Sequence, residues 1–210
     1  MINKEYELII PFITYPWKKY TLGQIKNLLK KKSYSYVYNS LKNFVKQGIL
    51  NQEIAGNVIL YSLNTESLKA QSYAGLSAEH VAWNKKHLPF KDLEKIANKI
   101  PTNFYIMIIT GSYAKNKQTE KSDIDMVIVV DNSMETKRVY AELKLYCELN
   151  IPPIHLYVFK ESEFLEMLLN NEANYGKEIA LNNLILHGGQ IYYKILAEAI
   201  KNGFNDKKLS

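Results

Sequence analysis

The sequence predicts an α/β (α+β) domain in its second half, preceded by a mainly helical N-terminal domain. Three apolar runs rich in β-branched residues predict strands: YIMIIT over residues 105–110, MVIVV over 126–130 and IHLYVF over 154–159. Segments with helical periodicity lie between and after these runs. In the first third of the chain, three helical segments precede a pair of short strands, which predicts a separate small domain.

The first 64 residues predict three helices and a β-hairpin. Residues 5–15 have the apolar spacing of a first helix, which Pro11 is expected to shorten or kink. Thr21 is a typical N-cap for a second helix with apolar residues at 22, 25, 28 and 29. A third helix has apolar or aromatic residues at 34, 37, 38, 41, 44 and 45, and Gly48 ends it. Two strands then flank a turn at residues 55–57.

The rest of the chain predicts a connector and the α/β domain. Residues 65–101 are expected to form helices that join the two domains. In the domain over residues 102–205, an amphipathic helix follows the second strand, and Glu161 and Glu163 begin the helix after the third strand. Residues 170–186 predict a turn and a further helix, and an amphipathic helix closes the domain.

Composition excludes several classes of protein. Of the 210 residues, 47% are hydrophobic and 12% aromatic, which supports a packed core and argues against a disordered chain. The apolar runs are too short for a membrane span and the N-terminus lacks a signal-peptide layout, so we expect a cytoplasmic protein with no membrane partner. Cys147 is the only cysteine, which excludes a disulfide framework and a cysteine metal cluster.

The charge of the chain is concentrated in its first third. Residues 1–64 contain nine lysines and three acidic residues, a net charge of +6, whereas the remaining 146 residues contain 18 basic and 18 acidic side chains. Such asymmetry suggests a module that binds a polyanion, joined to a neutral domain. The alternative is that a lysine-rich composition makes any segment look basic.

The segment from residue 111 to residue 125, GSYAKNKQTEKSDID, is the most informative feature for function. Gly111 follows a predicted buried strand and allows a sharp turn. Ser112 offers a hydroxyl and a backbone N–H that can hold phosphate oxygens. Asp123 and Asp125 are spaced i, i+2, so on a strand they share one face. Adjacent carboxylates repel each other, and a divalent metal ion between them removes that repulsion.

This segment resembles the signature of the DNA polymerase beta-type nucleotidyltransferase superfamily, with ten residues between Gly-Ser and Asp-x-Asp. It is most similar to the minimal nucleotidyltransferases of archaea and bacteria, and the likeness covers residues 102–159. The resemblance implies a mixed sheet, Mg²⁺ held by Asp123 and Asp125, and ATP or another NTP bound at Gly111 and Ser112. The alternative interpretation is an ordinary turn with two solvated aspartates.

Two further residues have open interpretations. In the resembled family, the third strand supplies another acidic residue to the metal site, but the corresponding position here is His155. His155 is either a base toward an acceptor hydroxyl or a structural side chain. Lys177, in a Gly-Lys-Glu sequence similar to one in archaeal relatives, is either a nucleotide-binding residue or a solvated helix lysine.

The first 64 residues resemble a winged helix-turn-helix DNA-binding domain, in which the third helix reads bases and the hairpin is the wing. Asn and Ser can bond base edges, and Lys can bond phosphates. The only arginine, Arg138, lies outside this domain, so we expect salt-dependent binding that relies on lysine. Winged helices also serve as docking or dimerisation domains. The side chains expected on the exposed face are Ser35, Tyr36, Asn39, Ser40, Lys42, Asn43 and Lys46.

The resemblances imply a Mg²⁺-dependent enzyme that transfers an NMP, most simply AMP, to a protein, RNA or small-molecule acceptor. An antitoxin-like role is implied by similarity, with a toxin protein as the acceptor, DNA as a second partner and a possible homodimer. The alternative is a DNA-binding regulator whose transferase domain only senses nucleotide, which the missing third carboxylate favours. An antibiotic-modifying enzyme ranks last, because a basic N-terminal module gives it no obvious benefit.

Overall fold

The computed structural model describes residues 4–205, so the first three residues of the expected N-terminal domain lie outside the described part. Within that part, no helix is both long and apolar enough to cross a membrane. The described chain begins with a 3₁₀ helix at Lys4–Ile9. The elements that follow it in the first third are α1 (Ile10–Thr14), β1 (Tyr20–Thr21), α2 (Leu22–Leu28), α3 (Tyr34–Lys46), β2 (Leu50–Ala55) and β3 (Val58–Leu63).

The helices of the first third begin where local sequence signals predict. Thr21 caps α2, because its hydroxyl accepts from the N–H of Gln24 while the Gln24 side chain accepts from the N–H of Thr21. The expected first helix consists of two pieces, since Pro11 lies in the first turn of α1, directly after the 3₁₀ helix. The strands β2 and β3 form the expected antiparallel hairpin, with Gly56 in its turn, and β1 pairs with the other side of β3.

The second part of the chain folds around a four-stranded mixed sheet, as expected. Its strand order is β6-β5-β4-β7, with β5 antiparallel to β4 and parallel to β6. The elements are α4 (Leu68–Trp83), α5 (Phe90–Ala97), β4 (Tyr105–Thr110), α6 (Gly111–Ala114), β5 (Ile124–Val130), α7 (Thr136–Glu148), β6 (Ile154–Lys160), α8 (Glu161–Leu169), α9 (Tyr175–Leu181), β7 (Leu184–His187) and α10 (Gly189–Lys201).

Helices cover both faces of this sheet, and alternation along β5 decides which side chains meet which helices. Val127 and Val129 belong to the core that includes buried residues of α8, α9 and α10. Ile128, which points the other way, belongs to the core that includes buried residues of α5 and α7. Asp125 precedes Val127 by two positions, so its carboxylate lies on the α9 side of the sheet.

The strand β7 was not expected. Residues 170–186 predict only a turn and a helix, whereas the structure has the helix α9 followed by an edge strand that pairs antiparallel with β4. The sequence of β7 is Leu-Ile-Leu-His, and its first three residues are buried. A continuous apolar run of this length fits a buried strand or a helix turn equally well, so periodicity could not separate the two.

The helix α4, which we expected to connect two domains, packs closely on α10. Gly75 on α4 faces Gly189 and Gln190, and a Cβ at Gly75 would overlap the backbone of both. The absence of a side chain at Gly75 therefore lets the two helix backbones approach each other. Buried residues of α4 and of α1 to α3 belong to the same apolar core as α10, so this core is continuous from the first third of the chain to the sheet.

Candidate active site

The site begins at the turn that ends β4. Gly111 has φ +64°, in the left-handed region that favours glycine. A Cβ at Gly111 would overlap Oδ2 of Asp125 and lie 3.0 Å from its Cγ, so the Asp125 carboxylate rests directly against this turn. Asp125 is also the cross-strand partner of Thr110, which fixes its position beside the turn. Ser112 follows in α6 and is half-buried.

Both aspartates lie beside His155. The Oδ2 atom of Asp123 is 3.2 Å from Nε2 of His155, and the Oδ1 atom of Asp125 is 3.7 Å from Nδ1. The register explains this arrangement, because β5 and β6 are parallel and pair Asp125 with His155. The structure therefore brings together the turn, the two aspartates and the histidine that the sequence singles out.

The Asp125 carboxyl group lies in an unfavourable environment for its charge. Burial raises its pKa, and so do the carboxylates of Asp123 and Glu178, while His155 opposes this shift. A raised pKa means that the protein stabilises the carboxylate less well than water does. A cation bound beside Asp125 would relieve that destabilisation.

Helix α9 contributes residues to the site that the sequence analysis missed. Glu178 accepts a hydrogen bond of 3.0 Å from the side chain of Lys115, the residue that directly follows α6. Tyr175 packs on Tyr157 of β6, with ring centroids 4.6 Å apart, and burial together with the Asp125 charge raises the pKa of its hydroxyl. These residues reach the site through packing of α9 on the sheet, for which the local sequence carries no signal.

Lys177 is not the solvated helix lysine that we considered. Its side chain is buried, and its Nζ atom has no hydrogen-bond partner within residues 4–205. The neighbouring backbone is well anchored, because the N–H of Lys177 donates to the side chain of Asn174, the N-cap of α9. The solvated interpretation is therefore wrong, and nucleotide binding by Lys177 stays a prediction.

Two carboxylates are a suitable donor set for one magnesium ion. Mg²⁺ is commonly held by one or two carboxylates, with substrate phosphates and waters completing an octahedral shell. Asp123 and Asp125 fit this pattern, and glycine at position 111 lets Asp125 lie against the turn expected to bind phosphate. Within the part of the chain that the structure describes, no group of three or more His, Cys, Asp or Glu side chains is arranged to hold a metal ion.

Most of the α3 side chains that we expected on the exposed face are exposed, with one correction. Ser35, Tyr36, Asn39, Lys42 and Lys46 are exposed, and Asn43 is half-buried. Ser40, in contrast, is buried, and its hydroxyl lies 3.4 Å from the carboxylate of Glu5. Ser40 therefore cannot reach a base edge as expected, because it lies on the inner side of α3 with Val37 and Leu41.

A known family model matches the part of the chain that contains the turn and both aspartates. Residues 93–187 match the family model of the nucleotidyltransferase domain. The match spans the turn at Gly111, both aspartates, His155 and all of α9, and it begins earlier than the domain boundary expected at residue 102. No curated protein and no solved structure matches the chain.

Proposed function

We propose that the chain transfers a nucleoside monophosphate from an NTP, most simply AMP from ATP, to an acceptor hydroxyl. The observation that carries this proposal is the contact of the Asp125 carboxylate with the Gly111 turn, beside Asp123. This contact joins a pair of cation ligands to a phosphate-binding turn. The match of residues 93–187 to the nucleotidyltransferase domain supports the same reaction.

Each residue would have a simple role in this reaction. Asp123 and Asp125 would hold Mg²⁺, which neutralises triphosphate charge and polarises the α-phosphate. Gly111 and Ser112 would hold the outer phosphates. The acceptor oxygen would bond to the α-phosphorus as the bond to the bridging oxygen of pyrophosphate breaks, and His155 would take the acceptor proton. Catalysis is then mostly positioning and charge neutralisation.

Transfer of a label from the α-phosphate of ATP tests this proposal. The purified chain is incubated with Mg²⁺, labelled ATP and, in turn, cellular RNA, a protein extract and small hydroxyl compounds. We expect pyrophosphate release and a labelled acceptor with the wild type, and loss of both in Asp125→Asn. Asp131→Asn is the matched control, since Asp131 lies just beyond the other end of β5 and caps a turn at Ser133. Equal turnover in Asp125→Asn would contradict the proposal.

A second candidate function is a nucleotide-sensing regulator that binds DNA. Its support is His155 at the position where the resembled family has a third carboxylate, together with the exposed lysines of α3. In this case residues 1–64 would act as a winged helix-turn-helix. The same incubation separates the two functions, because a regulator binds ATP with Mg²⁺ but releases no pyrophosphate with any acceptor.

A further inference from the structure

A groove with exposed aromatic side chains lies between α3 and the hairpin of β2 and β3. The groove encloses about 380 Å³. Tyr34 and Tyr38, expected from periodicity to face the core, are 61% and 40% exposed and line one wall. Val58 and Ile59 of the hairpin line the opposite wall and are also exposed, while Tyr61 forms part of the floor. Apolar surface of this kind commonly marks a binding site.

The positive charge of the residues around the groove favours an anionic occupant. The first 64 residues have a net charge of +6. Lys42 lies one helical turn after Tyr38 on the surface of α3, and Lys46 follows one turn later; both are exposed. Lys32, directly before the N-cap of α3 and two residues before Tyr34, is also exposed. Exposed lysines therefore lie before and after the two tyrosines along the chain. This order would let bases stack on the tyrosine rings while phosphates bind the lysine amines.

Three observations favour a single strand over a duplex as that occupant. Aromatic rings stack on base faces, and in a duplex those faces are covered by neighbouring base pairs. The first 64 residues have no arginine, so bidentate reading of guanine in a major groove is absent. Of the four Ser and Asn side chains of α3, Ser40 is buried and Asn43 is half-buried, which leaves only Ser35 and Asn39 exposed to bond a base edge.

We propose that the groove between α3 and the hairpin binds single-stranded nucleic acid, with bases stacked on Tyr34 and Tyr38 and phosphates held by Lys42 and its neighbours. This proposal specifies the form of nucleic acid bound by the N-terminal residues and does not depend on nucleotide transfer. A strand bound here would bring a terminal hydroxyl to the same protein that carries the transferase-like site.

Fluorescence anisotropy with the full chain tests this proposal. The probes are a labelled pyrimidine oligonucleotide as a DNA single strand, the same sequence as RNA, and the DNA duplex. We expect either single strand to bind more tightly than the duplex. Tyr34→Ala with Tyr38→Ala should weaken single-strand binding about tenfold or more, while Tyr34→Phe with Tyr38→Phe retains it, because stacking needs only the ring.

The control variant is Tyr140→Ala with Tyr146→Ala, which removes two comparably exposed tyrosines from α7 and should leave affinity unchanged. Lys42→Ala should weaken binding of both single strands and reduce the dependence of affinity on salt. Tighter binding of the duplex would overturn the proposal, as would unchanged single-strand affinity in the Tyr34/Tyr38 alanine variant. Absence of binding to all three probes would overturn it too and would favour a protein partner.

Discussion

Replacement of Gly111 by alanine perturbs the candidate site at its tightest contact. The new Cβ would lie 3.0 Å from Cγ of Asp125, whereas two carbons pack favourably at about 3.5–4.0 Å. Because the new Cβ would also overlap Oδ2 of Asp125, the carboxylate must retreat by about 1 Å or more, which its side chain can do by rotation. Displacements near 1 Å in a reacting geometry can reduce rate by about a hundredfold. We expect Gly111→Ala to lose most nucleotide transfer for this reason.

The stability cost of the same change comes from the backbone. Alanine at φ +64° costs about 1–2 kcal/mol, which lowers the melting temperature of a chain this long by roughly 2–8 °C. Gly56→Ala is the matched control, since Gly56 has φ +59° and open space where its Cβ would be. The two variants should therefore lose similar stability, while only Gly111→Ala loses function.

The assay compares three proteins by thermal unfolding and by transfer of α-phosphate label from ATP. We expect the wild type and Gly56→Ala to have similar activity at a temperature where both are folded. Full activity in Gly111→Ala would refute the reasoning, because the Asp125 carboxylate would then tolerate displacement from the turn. Equal loss of activity in Gly56→Ala would also refute it, because backbone strain alone would explain the effect.

Three further predictions concern stability. Lys177→Met should raise the free energy of unfolding in urea by roughly 1–3 kcal/mol, because it removes a buried amine that has no hydrogen-bond partner among the described residues. The control Lys194→Met, at an exposed lysine, should change this free energy little. A less stable Lys177→Met would contradict the prediction. Asp125→Asn should be more stable than wild type at pH 7, since burial raises the carboxyl pKa of Asp125. The difference should vanish below about pH 4, where the carboxyl group becomes protonated in both the folded and the unfolded chain, and a less stable variant at pH 7 would contradict the prediction. Burial raises the pKa of the Cys147 thiol to about 11, so the buried neutral thiol stabilises the fold fully up to about pH 9, and this contribution falls as pH rises through 11. Between these pH values the free energy of unfolding of Cys147→Ala should fall by roughly 2 kcal/mol less than that of the wild type. Identical pH profiles of the two proteins would contradict the raised thiol pKa.

Local sequence signals predict the elements that position the site. Strands β4, β5 and β6 are apolar runs whose type and approximate bounds follow from residue content alone, and the cap at Thr21 follows from hydrogen-bonding chemistry. The grouping of Gly111, Asp123 and Asp125 follows from alternation along a strand and from the spacing of the motif. These features depend on a few neighbouring residues, which is why a single sequence is sufficient for them.

The remaining features depend on packing between distant segments. Lys177 and Ser40 have polar side chains on helices, and only the docking of those helices decides that both are buried. Tyr34 and Tyr38 fit the apolar spacing of α3, but the hairpin lies beside them without covering them. Tyr175 and Glu178 reach the site because α9 packs on the sheet, a contact between segments about fifty residues apart in sequence.

Binding of a manganese–nucleotide complex tests the central claim most directly. Mn²⁺ can replace Mg²⁺ at oxygen ligands, and equilibrium dialysis against Mn²⁺ and a nucleotide measures the metal retained by the protein without any turnover. With a non-hydrolysable ATP analogue, we expect the wild type to bind Mn²⁺ and the variants Asp123→Asn and Asp125→Asn to lose this binding. Equal binding by the wild type and both variants would contradict a cation site at this pair of aspartates.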